Sequence, residues 1–179
     1  MAVNNPFKIL LDEHEVIRLV ENIIKSIDKS WKEDENKYAD TIKQLLVFFK
    51  EYSDNFHHYK EEDVLFRELK NKPDFLAQDI ISELELHHKE FRATVLEIKE
   101  ALEKRDWAHT QTLLTRYFND LLDHIAVEND EFFVMAESAF SKDELDRMYF
   151  KFEDIDLELG KLRKEELVNR LVCLDNELK

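Results

Sequence analysis

The stretch LVFFKEYSDNFHHYKEEDVLFREL, residues 46–69, decides the reading of this chain. Leu46, Phe49, Phe56, Val64, Leu65 and Leu69 recur at the three- and four-residue steps of one helix face. On that face the apolar run is interrupted by Ser53, His57 and Glu61. His57 and Glu61 are one helical turn apart, so they present an imidazole and a carboxylate to one side. The arrangement returns once more on an apolar stripe, as His124 and Glu128 between Leu121 and Met135.

Working outward, the same periodicity fills the chain. Asn5-Pro6 reads as an N-cap with proline at the first helical position. Phe7, Leu10, Ile17, Ile24, Ile27 and Trp31 follow, ending in the polar run from Lys32 to Asn36. The second helix stops before Asn71-Lys72-Pro73-Asp74, because the residue before proline avoids the α region. The third carries Ile80, Ile81, Leu84, Phe91, Val95, Ile98 and Leu102. Asp106 is the next N-cap, and the fourth helix carries Leu113 through Met135. Ser141-Lys142-Asp143-Glu144 is a capping box; its helix runs to Gly160, and a last stretch covers Lys161 to Leu178. The fold class expected is all-α: an up-down-up-down four-helix bundle over residues 6–139, with a C-terminal helical extension over 140–179.

Composition agrees. Among 179 residues there are 1 Gly and 2 Pro, far too few for the turns of a β protein. Hydrophobic residues make up 44% and charged residues 37%, as amphipathic helices with solvated outer faces require. The net charge of −15 disfavours nucleic acid and anionic membrane as partners. The single cysteine, Cys173, forms no intrachain disulfide. Met1-Ala2-Val3-Asn4-Asn5-Pro6 has no basic or apolar leader character, and no apolar run approaches a membrane span. A soluble cytoplasmic protein is expected.

Spacing alone is weak support for a site. There are three His-x-x-x-Glu pairs, at 57/61, 58/62 and 124/128, and a surface pair of this kind is worth only about 0.3 kcal/mol. Position is more telling. His14, His57, Glu61, His88, His124 and Glu128 each replace an apolar residue on an inward face, and a buried carboxylate needs a cation or a donor. Height agrees as well. His88 and His124 are each 18 residues from Asp106, and His57 and His88 lie 15 and 16 residues from Lys72. His14 and His57 lie 20 and 23 residues from Asp34. At about 1.5 Å rise per residue, the four histidines should converge on one layer able to hold two metal ions. His58 and Glu62 fall off the stripe and are expected to be solvated with Glu51 and Asn55. His87 and His109 also stand outside the set. Partners for the outer imidazole nitrogens are sought in Glu21, Ser53 and Tyr117.

The motifs Asp12-Glu13-His14, His57-His58-Tyr59-Lys60-Glu61-Glu62, His88-Lys89-Glu90-Phe91-Arg92 and His124-Ile125-Ala126-Val127-Glu128 together resemble the hemerythrin-like (HHE cation-binding) family, over about Pro6 to Ala139. The resemblance implies a four-helix bundle with two non-haem iron ions, oxo- or hydroxo-bridged. His14 and His57 would hold one iron, His88 and His124 the other, and Glu61 and Glu128 would bridge them. It implies binding of, or reaction with, O2, NO or peroxide. The pattern departs from the oxygen carriers: Leu84 and Arg92 stand where a fifth histidine would lie, so it is closer to the four-histidine branch. Arg67 and Val134 replace the family's usual prolines, and local changes are expected there. Two alternatives stand beside this reading. A ferritin-like iron-oxidising or storage protein would use Glu85-x-x-His88. A metal-free helical interaction protein would bury the histidines as core residues. The extension is a candidate surface for a homodimer or a protein partner.

Overall fold

The computed structural model describes residues 4–178; Met1, Ala2 and Val3 lie outside them. Six long helical runs, one short 3-10 turn (Ser30–Lys32) and no strand occur among the described residues. We denote them α1 (Pro6–Arg18, continued after Leu19 as Val20–Ser26), α2 (35–70), α3 (Gln78–Glu103), α4 (107–138), α5 (Lys142–Leu159) and α6 (Lys161–Glu177). No described helix is long and apolar enough to cross a membrane.

The helix ends follow the local chemistry. Asn5 accepts from the Phe7 amide with Pro6 behind it, and Asp106 accepts from His109. Ser141 and Glu144 form both halves of the capping box. Gly160, the only glycine, turns α5 into α6 at φ 101°, a conformation costly for any residue with a Cβ.

Helices α1 to α4 run alternately up and down. They do not enclose one continuous apolar core. One cluster lies towards the α1–α2 and α3–α4 connections and includes Ile17, Ile24, Phe49, Phe56, Phe91, Leu114 and Leu121. The other lies at the opposite end and includes Phe7, Leu10, Val64, Phe66, Ile81, Leu84, Phe132 and Phe133. Every one of the four helices crosses from one cluster to the other, and the six inward polar residues occupy the crossing. The last two helices belong to this construction. Leu167, Leu171 and Leu174 of α6 join the first cluster, and Met148, Phe152 and Ile155 of α5 join the second.

The sequence reading takes the bundle helices as regular α-helix. In fact the backbone widens to i→i+5 hydrogen bonding over Phe49–His58, Glu61–Phe66 and Glu128–Phe132. Wide turns of this kind gather at functional sites. Both helices run on through Arg67 and Val134, where no proline is present to end them.

A candidate metal centre between two apolar cores

His14, His57, Glu61, His88, His124 and Glu128 are all at most 2% exposed and all meet in the layer between the clusters. His14 Nε2 stands 2.8 Å from His57 Nε2, and His88 Nε2 stands 3.0 Å from His124 Nε2. The two carboxylates span these pairs. Glu61 places Oε1 3.6 Å from His57 Nε2 and Oε2 3.6 Å from His88 Nε2. Glu128 places Oε2 3.3 Å from His14 Nε2 and Oε1 3.2 Å from His124 Nε2. Each carboxylate thus turns one oxygen to each pair of imidazoles.

The outer nitrogens show which tautomer is present. His57 Nδ1 lies 2.9 Å from Glu13 Oε2, and His88 Nδ1 lies 2.8 Å from Glu62 Oε1. His14 Nδ1 lies 2.7 Å from Asn129 Oδ1, and His124 Nδ1 lies 3.4 Å from His87 Nδ1. Glu13, Glu62 and Asn129 accept, so His57, His88 and His14 carry their protons at Nδ1 and turn a bare Nε2 lone pair inward. These four partners form a cycle. Glu13 of α1 serves α2, Glu62 of α2 serves α3, His87 of α3 serves α4, and Asn129 of α4 serves α1. Each partner is the sequence neighbour of an inward residue: Glu13 of His14, Glu62 of Glu61, His87 of His88, Asn129 of Glu128.

The interior of the layer therefore contains acceptors facing acceptors. All four carboxylate oxygens of Glu61 and Glu128 are buried without a hydrogen-bond donor. An unsatisfied buried polar atom costs about 1–3 kcal/mol, more when charged. Burial, with the neighbouring Glu128 charge, pushes the Glu61 carboxyl well above the usual carboxylate range. Burial and then His14 push the His57 imidazole down to about 3 despite Glu13, which keeps it neutral and its Nε2 free. Burial likewise lowers His88. Cations placed between the imidazole pairs and the carboxylates would satisfy every one of these orphan atoms, and the imidazole–carboxylate donor set suits iron, zinc or manganese.

Not all sequence expectations hold. His58 is buried, at 2% exposure, and Glu62 is half-buried against His88 and Arg92. The wide turn over Phe49–His58 is the cause: a turn with more residues advances less per residue, so His57 and His58 both face inward. His58, His88 and His124 bring one nitrogen each within 4.8 Å of one another. Yet His58 stacks face to face on His88, with centroids 3.9 Å apart and planes 14° from parallel. An imidazole binds a metal in its own ring plane, so these two rings cannot share an ion in this arrangement. Both His58 nitrogens lack a hydrogen-bond partner, with Asp54 at 3.6 Å from Nδ1.

The expected outer partners are also corrected. Glu21 pairs with Lys25 at the surface, the Ser53 hydroxyl is buried without a partner, and Tyr117 packs on Phe49 and Phe91. The sequence signal that finds the actual partners is adjacency to the inward residues. His109 is exposed, and so is Cys173.

Two further features border the layer. A half-open cavity of 980 Å³ runs between α2 and α3, lined by Leu46, Phe49, Val95 and Trp107, with Arg92 and His58 at its inner end. On the opposite side, Glu13 meets two lysines and Asp156 in a buried ionic cluster.

The fold and the layer define a class: a helical bundle built around a buried, imidazole- and carboxylate-lined cation site. Residues 5–136 match the family described as Hemerythrin HHE cation binding domain, and the chain belongs to that family. No curated protein and no solved structure matches it.

Proposed function

We propose that this chain is a non-haem di-iron protein that binds or reacts with a small molecule such as O2, NO or peroxide, in sensing, iron handling or protection from stress. His14 and His57 hold one iron, His88 and His124 the other, and Glu61 and Glu128 bridge them. The carrying observation is the set of four orphaned carboxylate oxygens spanning two pairs of imidazole nitrogens. A bridged iron pair supplies ligand binding and electron transfer to a small molecule.

The chain's own residues supply the rest. Glu13, Glu62, Asn129 and His87 fix ring orientation, and a fixed outer acceptor strengthens an imidazole as donor. The two apolar clusters exclude water on either side of the layer. The α2–α3 cavity offers a small molecule a path from the surface to His58, whose ring stacks on His88.

The ferritin-like alternative loses its key residue, since Glu85 faces outward and pairs with Lys70 at 2.6 Å. A metal-free interaction protein would leave Glu61 and Glu128 buried with no compensation. The test is anaerobic loading with ferrous iron, then separate exposure to O2, NO and hydrogen peroxide under optical spectroscopy. Two irons per chain and a spectral response to at least one ligand are expected. A chain that takes up no iron under reducing conditions overturns the proposal.

A further inference from the structure

We propose that Asp156 and Lys164, from the two C-terminal helices beyond the family match, are positioning residues for the His14/His57 half of the metal centre, acting through Glu13 on His57. This rests on the di-iron reading above.

The observation is a closed square of four charges. Lys60 Nζ lies 2.7 Å from Glu13 Oε1 and 2.6 Å from Asp156 Oδ1. Lys164 Nζ lies 2.5 Å from the same Glu13 oxygen and 2.6 Å from Asp156 Oδ2. Lys60 gives its third proton to the Phe56 carbonyl at 2.9 Å. Lys60 is 0% exposed, and Glu13 and Asp156 are 3% and 5% exposed. Two cations and two anions cancel, so the square is neutral, and of its members Lys164 is the most exposed.

Its geometry divides Glu13. Oε1 takes both lysines, and Oε2 is left for His57 Nδ1 alone at 2.9 Å. The two ammonium groups therefore set both the direction of the carboxylate and the electron density it can pass to the imidazole. Without them, Glu13 would be free to rotate away from the Nδ1 proton, and His57 would lose a fixed acceptor. A buried ionic cluster is a poor source of stability compared with apolar side chains of the same volume. Its placement on the outer side of a candidate ligand gives it a different purpose.

The chain builds the square deliberately. Asp156 and Lys164 are eight residues apart on different helices, and only the turn at Gly160 brings them side by side. Among the described residues, no such four-charge square backs the other half. His88 relies on Glu62, which is shared with the part-exposed Arg92.

The experiment uses the full chain carrying Asp156→Leu together with Lys164→Met, which leaves the Glu13–Lys60 pair neutral. Arg163→Ala is the control, because it breaks another α6–α2 contact, to Glu51, without touching the square. In the metal-free protein, histidine-selective NMR should show the His57 Nδ1 proton resonance moving while that of His88 stays. In the iron-loaded protein, a chelator titration should show one of two irons weakened by up to roughly 10-fold, the low end of the effect of losing an outer partner outright. Lys164→Arg should restore both readouts. If the double variant does not fold, Lys164→Met alone, at the most solvent-accessible corner, should give the same changes in reduced size.

An unmoved His57 resonance, equal movement of all imidazoles, or the same effect from Arg163→Ala overturns the proposal. Two irons held with unchanged affinity in the double variant overturn it while leaving the di-iron reading intact. A wild-type chain that takes up no iron overturns both.

Discussion

The two halves of the candidate metal centre have matching inner atoms and different outer surroundings. On the His14/His57 side, the acceptor Glu13 is buried and locked by Lys60, Lys164 and Asp156. On the His88/His124 side, Glu62 is part-exposed and shares Arg92 with Asp54, at 2.8 and 2.7 Å, along the wall of the α2–α3 cavity. Between that cavity and the centre stands His58, with no hydrogen-bond partner of its own. One half is backed by the C-terminal helices, and the other lies behind His58 at the cavity wall. The difference teaches that inner donors can be chosen for the ion while outer surroundings are chosen for access.

The largest expected effect removes what the halves share. Glu128→Ala or Glu61→Ala deletes a carboxylate facing both imidazole pairs, so both irons should be lost. Metal analysis after anaerobic loading reads this directly. The same loss should appear as missing thermal stabilisation. A ligand at 100 times its dissociation constant adds about 2.7 kcal/mol, or roughly 5–10 °C per ion for a chain of this size. Chelator should therefore lower the wild-type melting temperature and leave Glu128→Ala unchanged.

Next in size, His57→Ala and His88→Ala should separate the halves. Each is expected to cost one iron and weaken the second through the shared carboxylates. His57→Ala also leaves the buried Oε2 of Glu13 without its donor, whereas Glu62 is part-exposed, so it should destabilise the metal-free protein more than His88→Ala does. Equal losses in the two metal-free variants would show that the outer surroundings are equivalent after all.

Acid should act on both halves alike. The folded His57 imidazole sits at about 3 against roughly 6.5 in an unfolded chain. Between these values the unfolded state binds the extra proton, so metal-free stability falls as pH drops below about 6.5. His88 is lowered in the same direction. Glu61 acts oppositely: its raised folded value means metal-free stability also falls as pH rises through it. Melting temperatures of chelated protein across pH should thus fall on both flanks. Iron should remove the alkaline flank, because a bound cation favours the ionised carboxylate.

How much of this was legible in the sequence depends on which atoms are asked about. The helices, their caps at Asn5, Asp106 and Ser141, and the stop at Gly160 follow from local rules, and these residues obey them. The meeting of His14, His57, His88 and His124 follows from counting residues to each loop, because antiparallel helices have one rise. Two things were hidden. The wide turns at Phe49–His58, Glu61–Phe66 and Glu128–Phe132 carry no composition signal, and they turned His58 from an expected surface residue into a buried one. The outer partners come from neighbouring helices, and a stripe drawn along one helix points to Ser53 and Tyr117 instead. The square of Glu13, Lys60, Asp156 and Lys164 joins four separate helices, and each member alone looks like an ordinary surface charge.

A smaller effect is expected at the cavity-side half. Arg92→Ala frees Asp54 and Glu62, but both remain partly solvated, and an exposed ion pair is worth about 0–1 kcal/mol. Iron affinity at that half should fall only a few-fold, while the locked half stays unchanged. A loss as large as that expected for the Asp156/Lys164 pair would erase the contrast between the two sides.

The smallest effect tests why His58 is present at all. Two buried nitrogens without partners are a burden that an apolar side chain of similar volume would not carry. If His58 contributed only packing, evolution had Leu or Phe to hand, and Phe91 and Phe66 already line the same wall. His58→Leu should therefore leave iron content at two per chain, since its ring lies flat on His88 and not in the plane of that ligand. It should leave metal-free stability unchanged or raise it by about 1 kcal/mol. What should change is the response to a small ligand arriving through the cavity, because a polar group lining it beside Arg92 and Asp54 has been removed. Loss of an iron instead would mean that His58 turns off His88 and becomes a fifth imidazole, making the cavity-side half richer in nitrogen than the one backed by the C-terminal helices.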